Sequence, residues 1–304
     1  MSRLPPELLI HVIDALRDCS SFPDQIRRRT LRSLCLTSHF LRELAIPLLY
    51  SSIRITLPGR FEELSRSPYV PEHLTSISVA DHNTWGPRFL GYIPLVCSVL
   101  EHARHKLHTV ILDLPLRAVM PEDDVENVKQ QLRHTLESLP ALTTLVSCRD
   151  ELFLRTEREL QGFGMIPGNW MTMTQLRRLS LYNPDVDQEF TDACLSLPHL
   201  EAVVVHNADM PGADAGPLTA LVTANNPAGL PLTVTYICDY PEVLARDDLS
   251  YVHELAKRHP NFRVIGTPKE VLDHERNTTQ DWIRGLAETG MLSQLQTEPR
   301  IDAA

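Results

Sequence analysis

One phrase recurs along most of this chain and limits what it can fold into. It reads apolar-x-x-apolar-x-apolar. It occurs as Tyr50-Ser-Ser-Ile53-Arg-Ile55, Leu74-Thr-Ser-Ile77-Ser-Val79, Leu107-His-Thr-Val110-Ile-Leu112, Leu142-Thr-Thr-Leu145-Val-Ser147, Leu176-Arg-Arg-Leu179-Ser-Leu181 and Leu200-Glu-Ala-Val203-Val-Val205. Two degraded copies follow, at Leu232 to Ile237 and Phe262 to Ile265. The second half of each phrase alternates as a half-buried strand does. Between most copies lies a stretch with helical spacing: Arg88 to His105, Glu122 to Leu139, Gln188 to Leu197 and Asp248 to His259. The repetition predicts short strands alternating with helices, hence an α/β fold with a parallel sheet.

The copies start 24 to 35 residues apart. A strand followed by a helix at a period of this order is the signature of a leucine-rich-repeat solenoid. A conventional parallel α/β sheet gives the same alternation, but its strands read as continuous apolar runs rather than this asymmetric phrase. The expected order is therefore a strand near Leu179 flanked by those near Leu145 and Val203. After Thr267 the pattern turns helical, with Pro268 opening one helix and Thr279 or Gln280 another. Val271, Leu272, Trp282, Ile283 and Leu286 supply its apolar faces, as an end cap would.

Residues 1 to 50 differ from the rest. They carry seven basic and five acidic residues of the chain's 29 and 39, which leaves 22 and 34 beyond them. The segment is net positive while the remainder is strongly acidic. Pro5, Pro6 and Glu7 suit a helix first turn, and Leu8, Leu9, Val12, Ile13 and Leu16 then recur at helical spacing. A second helix carries Ile26, Leu31, Leu34 and Cys35, and Ser38 caps a third. So small a unit, with so many apolar residues, either packs on the rest of the chain or offers an apolar surface to a partner.

Those residues resemble an F-box. Leu4-Pro5-Pro6-Glu7-Leu8-Leu9 with Val12-Ile13 and Leu16 is similar to its opening. Leu34-Cys35-Leu36-Thr37-Ser38, then Leu41 to Tyr50, is similar to its closing half, in the fungal form that runs directly into a strand. The departures are a long polar linker from Asp18 to Arg29, Thr37 where the family often has valine, and no tryptophan around His39 to Leu41. The resemblance implies a substrate receptor that docks on a Skp-family adaptor and, through it, on cullin and RING subunits of a ubiquitin ligase. The docking residues it implies are Leu4, Pro5, Leu8, Leu9, Val12 and Ile13, with Leu31, Leu34 and Leu36 behind them. The expected organisation is an F-box unit over 1–50, a repeat region over 51–267 and a helical cap and tail over 268–304.

The strand phrases suggest where a protein substrate would sit. The residue between the last two apolar positions faces outward. These positions are Arg54, Ser78, Ile111, Val146, Ser180, Val204 and Tyr236. Ile111, Val146, Val204 and Tyr236 are apolar where a wet face favours polar residues, so the row, with Ser180 in it, is either a binding patch or lies under a helix or the C-terminal tail.

Other chemistry finds little support in the sequence. The net charge of -10 argues against binding nucleic acid through the whole surface. The longest weakly polar run, Phe89 to Leu100, is too short to span a bilayer, and Met1 to Glu7 lacks the apolar core of a signal peptide. A cytoplasmic or nuclear protein is the expectation, with its six scattered cysteines reduced and no structural zinc. His102, His105 and His108 lack a carboxylate or cysteine partner. Gly162-Phe-Gly164-Met-Ile-Pro-Gly168 has no preceding strand, and Pro167 interrupts any following helix. Glu122, Asp123, Asp124 and Glu126 fit the first turn of a helix. No motif points to an enzyme or to a cofactor. Arg27-Arg28-Arg29 with Arg32 is the one basic cluster: a contact for an acidic partner, an import signal, or a solvated helix face.

Overall fold

The computed structural model describes residues 5–18, 24–56, 61–81, 87–152, 154, 169–208, 216–225, 229, 231–239, 250–272 and 278–296. Three helices come first: α1 (Pro6–Asp18), α2 (Asp24–Thr37) and α3 (His39–Ser51). Ser38 caps α3 by accepting from the Leu41 amide at 3.2 Å. A small core of Ile13, Leu31 and Ala45 joins the three helices, with Leu16, Leu34, Leu44 and Leu48 packed round it.

Eight strands follow: β1 (Ser52–Thr56), β2 (Ser76–Ala80), β3 (Thr109–Asp113), β4 (Thr144–Ser147), β5 (Arg178–Tyr182), β6 (Ala202–His206), β7 (Thr233–Cys238) and β8 (Phe262–Gly266). They form one parallel sheet in chain order, β1 to β8. β5 lies between β4 and β6, as the phrases predict. The helices between and after the strands are α4 (Phe61–Ser65), α5 (Val70–His73), α6 (Ile93–Ala103), α7 (Val128–Glu137), α8 (Gln188–Ser196), α9 (Gly216–Thr223), α10 (Ser250–Arg258), α11 (Lys269–Leu272) and α12 (Thr279–Glu288). A 3₁₀ segment, Met291–Gln296, ends the described chain.

The phrase residues explain the sheet. Leu74, Ile77 and Val79, then Leu107, Val110 and Leu112, then Leu176, Leu179 and Leu181 all point to one side and are buried in the main core. Each such side chain stabilises by about 1.5–3 kcal/mol when taken from water. Local polar groups set the helix starts. Asp124 accepts from the Val128 and Lys129 amides, both at 2.9 Å, at the head of α7. Asp187 accepts from the Phe190 amide at 2.9 Å at the head of α8. The acidic run at 122–126 does not form the first turn of α7, which begins at Val128; it precedes the helix, and Asp124 reaches forward to cap it. Asn183 and Asn207, just past β5 and β6, take left-handed φ of 52° and 48°. Asparagine tolerates that conformation where most residues are strained.

Candidate functional site

The two surfaces expected to bind proteins have different fates. On α1, Leu8 and Val12 are four residues apart, so they share one helix face. Both stay about half exposed, at 48% and 49%. Pro5 is also exposed and Leu9 is partly buried. Ile13 and Leu31, by contrast, are 2% and 1% exposed and form the inner core of the three-helix unit. They hold the helices together and do not face outward, which corrects the expected place of Ile13 on the docking face. The physical reason is the helical period: Leu9, Ile13 and Leu16 face inward, while Leu8 and Val12 lie on the adjacent stripe. Leu34 is half-buried beside that core, while Leu36 at the end of α2 is 88% exposed. Leu4 lies outside the described residues.

The strand row is a packed interior. The register places Arg54, Ser78, Ile111, Val146, Ser180 and Val204 side by side, as the phrases predict. The row continues into Thr235, not Tyr236, because Val204 pairs with Thr235. Tyr236 sits one residue along, pairs with Val205, and packs into the helix-side core. The last phrases are a residue short: Val203 aligns with Val234, which stands two residues after Leu232 instead of three after it. A one-residue slip moves a strand side chain to the opposite face.

The C-terminal segment covers this row. Ile111, Val146, Cys148, Val204 and Ile237 form a second core with Ile283 of α12 and with Leu292 and Leu295 of the 3₁₀ segment. The space left between Val146, Ser180, Val204 and Leu292 is about 10 Å³, room for at most a single water. Ile111, Val146, Ser180 and Val204 are thus core residues rather than an open patch, and the reading in which the tail covers the row is the one observed.

Polar groups fix the cover. Arg284 of α12, itself 5% exposed, donates to the carboxylate of buried Asp113 and to Asp281 at 2.5 Å. Arg149 also donates to Asp113, at 2.5 Å. Ser78 donates to Glu288 at 2.6 Å, and Arg54 donates to its second oxygen at 3.3 Å. Burial first, then the charge of Arg54, lowers the pKa of Arg284. Thr278 and Asp281 cap the helix reciprocally, and Gly290 past its end takes a left-handed φ of 72°.

Beneath this cover lie polar groups with no hydrogen-bond partner: Ser180 Oγ, Thr235 Oγ1 and both ring nitrogens of His206. His206 lies beside Tyr182, with ring centroids 5.3 Å apart. Burial holds its pKa down at about 3, so it is neutral at pH 7.

No catalytic constellation emerges among the described residues. His102 faces the Ser67 carbonyl, His105 accepts from Arg104, and His108 faces the Ala141 carbonyl, so the three histidines do not converge. No group of His, Cys, Asp and Glu could hold a metal ion among the described residues. Burial pushes the thiol of Cys97 up to about 11 and raises those of Cys148 and Cys194 further, the opposite of an activated nucleophile. A groove of about 640 Å³ between α6 and α7 is lined by Glu101, Arg104, Gln131, His134, Thr135 and Ser138; Thr135 donates to the Glu101 carboxylate at 3.2 Å and Ser138 to the Thr135 carbonyl at 2.7 Å, so both hydroxyls are already hydrogen-bonded. The glycine-containing stretch at 162–168 lies outside the described residues. No helix among the described residues is long and apolar enough to cross a membrane.

No protein-family model and no curated protein matches the chain.

Proposed function

We propose that this chain is a non-catalytic adaptor with an F-box at its amino end and a leucine-rich-repeat-like region behind it. It recruits a protein substrate to a Skp–cullin–F-box ubiquitin ligase, in the cytoplasm or nucleus. The observation that carries the reading is the stripe of Leu8 and Val12 on α1, with Pro5 beside it and Leu36 at the end of α2. These side chains remain outside the core of the three-helix unit, whose buried centre is Ile13, Leu31 and Ala45. A small domain gains by burying such groups, and a partner face of apolar character is what they fit. The F-box resemblance names that partner as a Skp-family adaptor. The sequential parallel sheet supports the repeat reading, because a solenoid adds each strand beside the one before it.

The deciding experiment is co-purification of the full chain with a Skp-family adaptor and cullin. Leu8→Asp with Val12→Asp should abolish the complex while the circular dichroism melt stays unchanged. Recovery of the complex by the folded double variant would refute docking through α1, and absence of any complex with the natural chain would refute the ligase assignment.

A further inference from the structure

The two parts of the C-terminal cover are held by different means. Charged and polar side chains seat α12: Thr279 donates to Asp239, Arg284 donates to Asp113, and Ser78 and Arg54 donate to Glu288. The 3₁₀ segment Met291–Gln296 is seated by the buried side chains of Leu292 and Leu295, with a long hydrogen bond of 3.5 Å from Arg263 to the Leu295 carbonyl. Met291 at its start is exposed.

What lies beneath the segment also sets it apart. Ser180, Val204 and Thr235 stand side by side on β5, β6 and β7. Leu292 shares its small void with Ser180 and Val204, and the segment touches β7. The Ser180 and Thr235 hydroxyls have no hydrogen-bond partner there. Closing the segment takes two leucines from water, which favours the contact. It also withholds water from two hydroxyls, which opposes the contact by a comparable amount. Between the two parts of the cover stands Gly290, in its left-handed conformation, and a side chain placed on it would meet nothing within 4 Å. Glycine moves between backbone conformations that other residues reach only with strain, and the space round it leaves the chain free to turn.

We infer that Met291–Gln296 is a strap that lifts from β5, β6 and β7 about Gly290 while α12 keeps its seat, giving the chain a closed and an open folded form. Opening wets Ser180, Val204 and Thr235 and leaves the main core on the other face of the sheet intact. Local opening of this kind belongs to segments whose burial is close to balance. Native cysteines report on the rest of the molecule. The charges of Glu288 and Asp281 act on the Cys148 thiol, which places it beside α12. Cys97 and Cys194 lie in the main core. The strap has no residue in the three-helix unit, so the inference stands apart from adaptor docking.

The test alkylates the full chain carrying Val204→Cys with iodoacetamide and follows each cysteine by mass spectrometry of its peptide. Without urea, the thiol introduced at position 204 should react at least about tenfold faster than Cys148, Cys97 and Cys194. Its rate should stay flat at low urea, while those of Cys97 and Cys194 rise, because the main core opens only on global unfolding. Adding Thr235→Val removes an unpartnered hydroxyl at nearly unchanged shape, and should slow labelling at position 204 about tenfold with Cys148 unchanged. Adding Leu292→Ala should speed it about tenfold, again with Cys148 unchanged. If Val204→Cys melts early, Ala202→Cys, which lines the same void, carries the label instead. Labelling at position 204 no faster than at Cys148 would mean that the cover moves as one piece or not at all, and overturns the inference. So does labelling there that is indifferent to both Thr235→Val and Leu292→Ala.

Discussion

His206 should make this protein lose stability in mild acid through a single identifiable group. Its ring is fully buried beside Tyr182, with neither nitrogen hydrogen-bonded. Its folded pKa is depressed from 6.5 to about 3. For a depressed histidine the unfolded chain binds the proton first, so the contribution to stability is full above pH 6.5. It is then lost as pH falls from 6.5 towards 3. Each pH unit in that window costs about 1.4 kcal/mol, so pH 5 costs about 2 kcal/mol relative to neutral pH. His206→Leu removes both the titration and two unpartnered buried nitrogens. At pH 7.5 the variant should be at least as stable as the natural chain, since an unsatisfied buried polar group costs about 1–3 kcal/mol. Urea unfolding followed by circular dichroism at pH 7.5, 6 and 5 measures both effects, and the other titrating groups cancel in the comparison. The natural chain should lose about 2 kcal/mol more than the variant over that range. Parallel pH profiles for the two proteins would refute the reasoning.

The other predictions follow from the same packing. Asp113→Ala removes the buried carboxylate that Arg284 and Arg149 share, leaving Arg284 its bond to Asp281, and should cost about 3 kcal/mol in urea unfolding; an unchanged midpoint would contradict the buried pairing. Val146→Asp should unfold the chain or strongly lower its melting temperature, because the residue is enclosed beneath the C-terminal segment; a stable, soluble variant would show that the cover is dispensable. Asp124→Ala should cost about 1 kcal/mol by removing the cap of α7, read from the same unfolding curves.

Much of the fold was legible because the phrase states both strand and register. Leu145, Leu179 and Val203 occupy equivalent positions in the sequence and become neighbours in the sheet. A helix start with a polar cap was also readable at Ser38, and the last helix begins at Thr279, one of the two starts expected, with Thr278 as its cap. Tyr236 was misplaced because counting positions within a degraded phrase assumes its length, and the copy at Leu232 has lost a residue. Ile13 was misplaced because a helical stripe gives a face but not which side meets α2 and α3. The helix α9 carries few charges and sits between two prolines, Pro211 and Pro227, so its period gave no clear signal. The Arg284–Asp113 pair joins residues 171 positions apart, and no local pattern reports a contact of that span.

The apolar row is the clearest case of a surface whose meaning depends on the rest of the chain. A parallel sheet with aliphatic residues on both faces needs cover on both, or it exposes a contiguous apolar patch. The helices after the strands supply one layer, and α12 with the 3₁₀ segment supplies part of the other. The cover is held asymmetrically: polar bonds tie α12 to β1, β2 and β3, while Leu292 and Leu295 complete an apolar contact with the later strands. Ser180, His206 and Thr235 remain under it without partners, which lowers the net stabilisation that this layer contributes. The same sequence feature that suggested a substrate face thus serves to seat the end of the chain. On the proposed function, a protein substrate would then have to be met on another surface.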